Sequence, residues 1–86
     1  MDEFAALSDS TRREIVTLLA DADRRAGDIA AQFDVTPPAV SQHLKVLREA
    51  KLVKVERRGR ERVYSLDLEG LAAMEAWVEQ TRAKWN

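Results

Sequence analysis

The sequence has no cysteine, only two prolines and three glycines, and a single histidine among its 86 residues. Without cysteine the chain forms no disulfide, iron–sulfur cluster or thiolate zinc site. One histidine without cysteine is also a weak ligand set, so we expect no metal. No linker rich in glycine or proline divides the chain, and its length allows one domain at most. We therefore expect a single domain over residues 1–86, with a marginal core that oligomerisation would help to stabilise.

Long hydrophobic runs are also missing. The longest uncharged stretch, Val35 to Leu44, contains both prolines and several polar residues, so it cannot span a bilayer. No basic-then-apolar leader opens the chain, which predicts a cytoplasmic protein without a membrane partner. A catalytic dyad of Ser41 and His43 fails because residues two apart on a helix point to different faces. With no phosphate-binding loop or nucleophile signature either, we expect no enzymatic activity and no cofactor.

The charge of the chain is unevenly distributed. The formal net charge is −1, but residues 45–62 carry eight Lys and Arg against three Glu, whereas residues 1–44 carry four Arg against eight Asp and Glu. A basic stretch in an otherwise acidic chain is typical of a face that meets a polyanion. A solvated charged surface would explain the charge alone equally well.

The spacing of apolar residues predicts helices in the first half of the chain. A short lead-in helix covers Asp2 to Leu7. The next helix is capped either by Asp9 or by Thr11 of a Thr11–Glu14 capping box. Its buried stripe is predicted to be Ile15, Leu18, Leu19 and Ala22.

Two further helices and a turn follow. The charged residues 21–25 predict a turn, and residues 26–33 a short helix. A helix over residues 37–50 begins where Thr36 can cap it and Pro37 fits the first helical position. Its apolar stripe, which should face the core, is Val40, Leu44 and Leu47.

Period-2 alternation then predicts strands over residues 52–57 and 62–66, joined at Gly59. Asp67 can cap a last helix. The predicted order is α-α-α-α-β-β-α, a mainly α fold with a small β-hairpin (α+β). Two helices joined by a tight turn and followed by a hairpin describe a winged helix-turn-helix.

The outer face of helix 37–50 carries short polar side chains that suit the recognition of base edges. Gln bonds adenine, Lys bonds guanine or phosphate, Ser bonds either, and a small Ala can contact a thymine methyl. Backbone N–H groups at the helix start could face a phosphate. An ordinary solvent-facing helix side is the alternative interpretation. The candidate DNA-binding residues here are Thr36, Pro38, Ala39, Ser41, Gln42, His43 and Lys45, with His43 at the rim, where it packs or meets a phosphate.

Four arginines surround the glycine of the hairpin. Their mutual repulsion is unfavourable unless an anion meets them, and arginines on a β-tip fit the minor groove or its phosphates. The alternative is a charged edge that prevents aggregation of strands. The candidate DNA-binding residues of the hairpin are Arg57, Arg58, Arg60 and Arg62.

Large apolar side chains near the two chain ends predict a homodimer formed by the first and last helices. An uncovered terminal helix with tryptophans is typical of an interface, and a two-fold dimer satisfies it simply. A last helix folded back on its own domain, with Trp77 in the core, is the alternative. The candidate dimer residues are Phe4, Leu7, Leu71, Met74, Trp77, Val78 and Trp85.

Six strings resemble the ArsR-type family of winged-helix repressors: Ala6 to Ile15, Asp28 to Ala30, Thr36 to Ala50, Leu52 to Val53, Gly59 to Arg60, and Val63 to Leu66. The resemblance covers nearly everything from Phe4 to Val78. It implies a homodimeric repressor that reads a palindromic operator with helix 37–50 and a wing over residues 52–66. It also implies dimer contacts from the first and last helices, and release of DNA when an effector binds.

Two departures from the family pattern stand out. The cysteine pair that metal-sensing members carry before the recognition helix is absent, as are histidines on the last helix, so metal sensing is not carried over to this chain. The terminal tryptophans resemble a metal-independent branch of the family. Lys51 stands where the family usually has glycine, so we expect a less tight turn there. We expect a dimeric transcriptional repressor that binds double-stranded DNA. A protein-binding winged helix without DNA is the alternative, and an unknown small-molecule effector is compatible with the first interpretation.

Overall fold

The computed structural model describes residues 3–85, which form five helices and one small antiparallel sheet. The mainly helical fold with a β-hairpin is as the sequence predicts. Asp2, at which the predicted lead-in helix begins, lies outside the described residues. The elements are α1 (Glu3–Ala6), α2 (Ser10–Asp21), β1 (Arg24–Arg25), α3 (Ala26–Ala31), α4 (Pro37–Glu49), β2 (Val53–Arg58), β3 (Glu61–Leu66) and α5 (Leu68–Trp85).

Helix α2 is capped by Asp9, whose carboxylate accepts a hydrogen bond from the backbone N–H of Arg12 at 3.1 Å. That bond is the main reason why the pKa of Asp9 lies below its usual value. Of the predicted stripe, Ile15 and Leu19 are buried. Ala22 was wrongly included, because the helix ends at Asp21 and Ala22 is exposed in extended backbone.

Helix α4 begins as predicted. The Thr36 hydroxyl accepts from the backbone N–H of Ala39 at 3.3 Å, and Pro37 is the first helical residue. The stripe Val40, Leu44 and Leu47 is buried, at 3% exposure or less. The predicted free N–H groups at this helix start are wrong: Pro37 and Pro38 have no N–H, and Ala39 donates to the cap.

Lys51 closes α4 in a left-handed conformation, with φ at 62°. Its N–H donates to the Arg48 carbonyl and that of Leu52 to the Leu47 carbonyl, both at 3.0 Å. These two bonds form a Schellman motif, so the expectation of a looser turn is wrong. The Lys51 carbonyl also lies against the first turn of α5, where a Cβ on Gly70 would come within 1.7 Å of its oxygen.

The sheet has the order β1-β3-β2, with β2 and β3 forming the predicted hairpin, called the wing below. Gly59 has φ at 63° in its turn. The predicted turn over residues 21–25 is wrong for its last two residues, since Arg24 pairs with Tyr64 and Arg25 with Val63. Two residues separated from their partners by about 40 positions carry no local alternation, so the sequence pattern did not reveal β1.

Helix α5 is capped by Asp67, whose Oδ1 accepts from the backbone N–H of Glu69 at 3.1 Å. The first two turns pack on the domain through buried Gly70 and half-buried Leu71 and Met74. Beyond them the helix is exposed as far as Trp85. Among residues 3–85, no helix is long and apolar enough to cross a membrane.

Candidate nucleic-acid interface

The outer face of α4 presents the polar side chains that the sequence predicts. Because Val40, Leu44 and Leu47 turn inward, Ser41, Gln42 and Lys45 are exposed. Within residues 3–85 these three side chains make no hydrogen bond or ion pair, so their polar atoms are available to a partner. Thr36 and Pro38 are also exposed at the helix start, and Ala39 is half-buried.

His43 is placed differently from its neighbours. It is half-buried, and its Nδ1 lies 3.3 Å from Nη1 of Arg12 on α2. The same guanidinium donates through Nε to the Ala6 carbonyl at 2.6 Å. This contact agrees with the packing role predicted for His43, and its contact with a phosphate stays a prediction. Arg12 is a residue that the sequence pattern did not single out. Arg12 ties the end of α1 to α4, a contact between distant residues that no local pattern signals.

The four wing arginines are all exposed, but the strand register separates them. Arg57 lies directly opposite Arg62, and this pair follows the pair Val55–Tyr64 on one face of the hairpin. Since Tyr64 is buried in the core, the face that carries Arg57 and Arg62 is the one that packs towards the domain. Like charges directly opposite each other on a hairpin repel, and a bound anion would relieve that repulsion.

The carboxylates of the wing lie on its other face. Glu56 and Glu61 alternate with Arg57 and Arg62 along their strands and so point the opposite way. Glu56 pairs with Arg58 at 3.3 Å, and Glu61 pairs with Arg25 at 2.9 Å. The hydrogen bond that Arg25 donates to the Glu61 carboxylate is the main reason why the pKa of Arg25 lies above its ordinary value. The hairpin thus keeps its acids away from the face that carries the opposed arginines.

A cleft of about 210 Å³ joins α4 to this arginine face. Pro37 and Ser41 of α4 line one side, Arg62 and Tyr64 of β3 the other, and Gly27 of α3 lies between them. The structure therefore brings together a polar residue of the exposed α4 face and an unpaired arginine of the wing. Arg60, at the turn, has no ion pair within the described residues.

The predicted dimer residues divide into two groups. Leu7, Leu71 and Met74 are half-buried against the domain's own core. Four others are at least 44% exposed, and Trp85 is 89% exposed. Trp77 is 54% exposed, so it is not a core residue. The ring of Phe4 covers part of it, with ring centroids 5.0 Å apart. The exposed members are Phe4, Trp77, Val78 and Trp85.

Metal ligands do not cluster in the part of the chain that the structure describes. Within residues 3–85 no group of three or more His, Cys, Asp or Glu side chains could hold an ion.

A recognition helix with a bare polar face, preceded by a short helix and followed by a basic hairpin, defines the winged helix-turn-helix class of DNA-binding proteins. Residues 9–55 match the sequence profile described as bacterial regulatory protein, arsR family. The chain belongs to this family and is a DNA-binding transcriptional regulator, not an enzyme.

Individual relatives agree with this assignment. The chain is 49% identical over 82 residues to the HTH-type transcriptional regulator Rv2034 of Mycobacterium tuberculosis, covering 93% of this chain and 77% of that protein. It is 40% identical over 75 residues to the transcriptional repressor SdpR of Bacillus subtilis, covering 87% and 83%. A solved ArsR-like regulator from Rhodococcus sp. RHA1 superposes with a TM-score of 0.85 at 38% identity, covering 95% of this chain and 77% of that one.

Proposed function

We propose that the chain is a homodimeric repressor whose two copies read the half-sites of a palindromic operator with α4 and the wing. The observation that carries the proposal is the shared cleft between α4 and the arginine face of the wing. In this proposal Ser41, Gln42 and Lys45 meet base edges or adjoining phosphates in the major groove. Arg57, Arg60 and Arg62 hold the phosphates or the adjacent minor groove.

The predicted site residues differ in how freely their side chains can contact DNA. Thr36, Pro38 and Ala39 frame the start of α4 and reach the backbone at most, since the Thr36 hydroxyl already caps the helix. His43 acts through packing against Arg12. Arg58 is the wing arginine least suited to DNA because it pairs with Glu56 on the far face.

The exposed half of α5 supports the dimer. Trp77, Val78 and Trp85 continue along the helix the same side that packs on the domain through Gly70 and Met74. A second copy of the chain could bury this side of α5 against its own apolar side chains. Two-fold symmetry would then separate the two α4 helices by about 34 Å, one turn of DNA. In this proposal the regulator acts on DNA in the cytoplasm. As part of this proposal, the chain, which has no cysteine, is a member of the metal-independent branch of the family.

Selection of bound sequences from a random duplex pool, using the whole chain, tests the proposal. We expect enrichment of a palindrome and an affinity that falls steeply as salt is raised. A non-palindromic consensus would contradict the two-fold arrangement. Duplex binding that is absent or independent of salt would contradict DNA recognition by this face and favour a protein-binding wing instead.

A further inference from the structure

The tip of the wing, residues Arg57–Arg62, extends beyond the rest of the sheet. The pairing of β1 with β3 ends at Val63, so the tip has only its own hairpin ladder. Its other bonds are mostly internal: Arg57 donates to the Gly59 carbonyl at 3.4 Å, and Arg58 pairs with Glu56. A two-stranded extension of this kind is held weakly on its own.

One side-chain contact joins the tip to the domain among the hydrogen bonds and ion pairs of residues 3–85. Arg25, at the end of β1, places Nη1 2.9 Å from Oε1 of Glu61. Its Nε lies 3.2 Å from Oδ2 of Asp28 on α3. The guanidinium thus bridges the first turn of α3 and the base of the wing turn.

We propose that Arg25 is a positioning residue for the wing: through Glu61 it holds the tip beside α3, so that Arg62 stays next to α4. This inference rests on the proposed function of the wing in DNA binding. Both side chains of the pair are more than half exposed, so the contact contributes little to global stability. Its effect is on where the tip lies, since no other side-chain hydrogen bond or ion pair within residues 3–85 joins the tip to the helices.

The removal of the Glu61 carboxylate separates this proposal from a simple effect of charge on DNA binding. This carboxylate is an anion on a hairpin that faces DNA, so its removal would tighten binding if it acted only through long-range repulsion. Under the proposal, removal frees the tip and weakens binding or leaves it unchanged. The two explanations therefore differ in sign.

Hydrogen exchange of the free protein tests the positioning without DNA. Arg25→Gln and Glu61→Gln are expected to speed exchange of the amides of Arg58 and Glu61, which pair across the turn of the wing, by about threefold or more. Arg25→Lys, which keeps a cation, restores most of the protection. Asp28→Asn is the matched control, because it removes only the local pair within residues 25–28. Tip exchange that is equal in all four variants and in the wild type would overturn the proposal.

Duplex binding tests the consequence. The double variant Arg25→Gln/Glu61→Gln has the same net charge as the wild type, so any loss is not due to total charge. We expect about fivefold weaker binding, near-normal binding by Arg25→Lys, and unchanged thermal unfolding in both. Wild-type affinity in the double variant, or tighter binding by Glu61→Gln alone, would overturn the proposal. If the wild type itself binds no duplex, the proposed function fails while the exchange experiment still decides the positioning.

Discussion

At the scale of single residues, two helical glycines differ in how closely other parts of the backbone approach them. Gly70 has no Cβ, and this lets the first turn of α5 rest on the Lys51 carbonyl. Gly27 is different, because a Cβ there would meet nothing within 4 Å. One glycine is thus required by packing, and the other is not.

We predict that Gly70→Ala lowers the free energy of unfolding by about 1–3 kcal/mol, because the new methyl collides with fixed backbone and α5 must move. Chemical denaturation measures the change. Gly27→Ala is the control and should be neutral or slightly stabilising, since alanine is the better helix former. Equal stability of the two variants would show that α5 does not rest on the turn after α4.

Gln42 is the residue expected to carry the most sequence information, since its amide is exposed and unbonded on α4. We predict that Gln42→Ala costs about 1–3 kcal/mol on the selected operator and less on random duplex. Fluorescence anisotropy with both duplexes measures the two losses. Gln80→Ala, on the exposed part of α5, is the control. An equal loss on both duplexes would assign Gln42 to the backbone rather than to a base.

At the scale of elements, local signals predicted the helices and the hairpin well. Asp9, Thr36 and Asp67 each cap the helix that follows, and in each case the decisive atoms lie within three residues. The bounds of the strands were shifted by one residue. Strand β1 and the Arg12–His43 contact were missed because their partners are distant in sequence.

The two faces of the wing are predicted to differ in their effect on DNA. Arg62→Gln should weaken binding to all duplexes and reduce the slope of log affinity against log salt by up to about 0.9, the value of one phosphate contact. Arg58→Gln removes the same charge from the far face, where Glu56 already pairs with it, and should reduce the slope less. Salt titrations of both variants measure this. A larger effect of Arg58→Gln would reverse the assigned faces.

At the scale of the whole molecule, the described chain is elongated, with extents of 48 × 25 × 22 Å. The projecting half of α5 contributes to this shape and leaves its apolar side chains without cover. Trp85 is therefore exposed in the monomer, and its apolar surface is available for assembly.

We predict that Trp85→Ala weakens dimerisation by about 2 kcal/mol or more, as large aromatic anchors do at interfaces. The monomer should remain folded, because Trp85 is almost fully exposed in the described part of the chain. Sedimentation equilibrium measures the dissociation constant, and circular dichroism checks the fold. Glu79→Ala, an exposed residue on the opposite, charged side of α5, is the control. An unchanged dissociation constant would place the dimer interface elsewhere.

The helices, their caps, the inward stripe of α4 and the presence of a basic hairpin follow from local sequence patterns. Each of these depends on residues within about one turn of a helix or one hairpin, where backbone geometry and burial act locally. The folded chain was needed to show which wing arginines are paired, how Arg25 and Arg12 connect distant elements, and why Gly70 must be small. Those features depend on the approach of segments far apart in the chain, and that approach is set by the packing of the core as a whole.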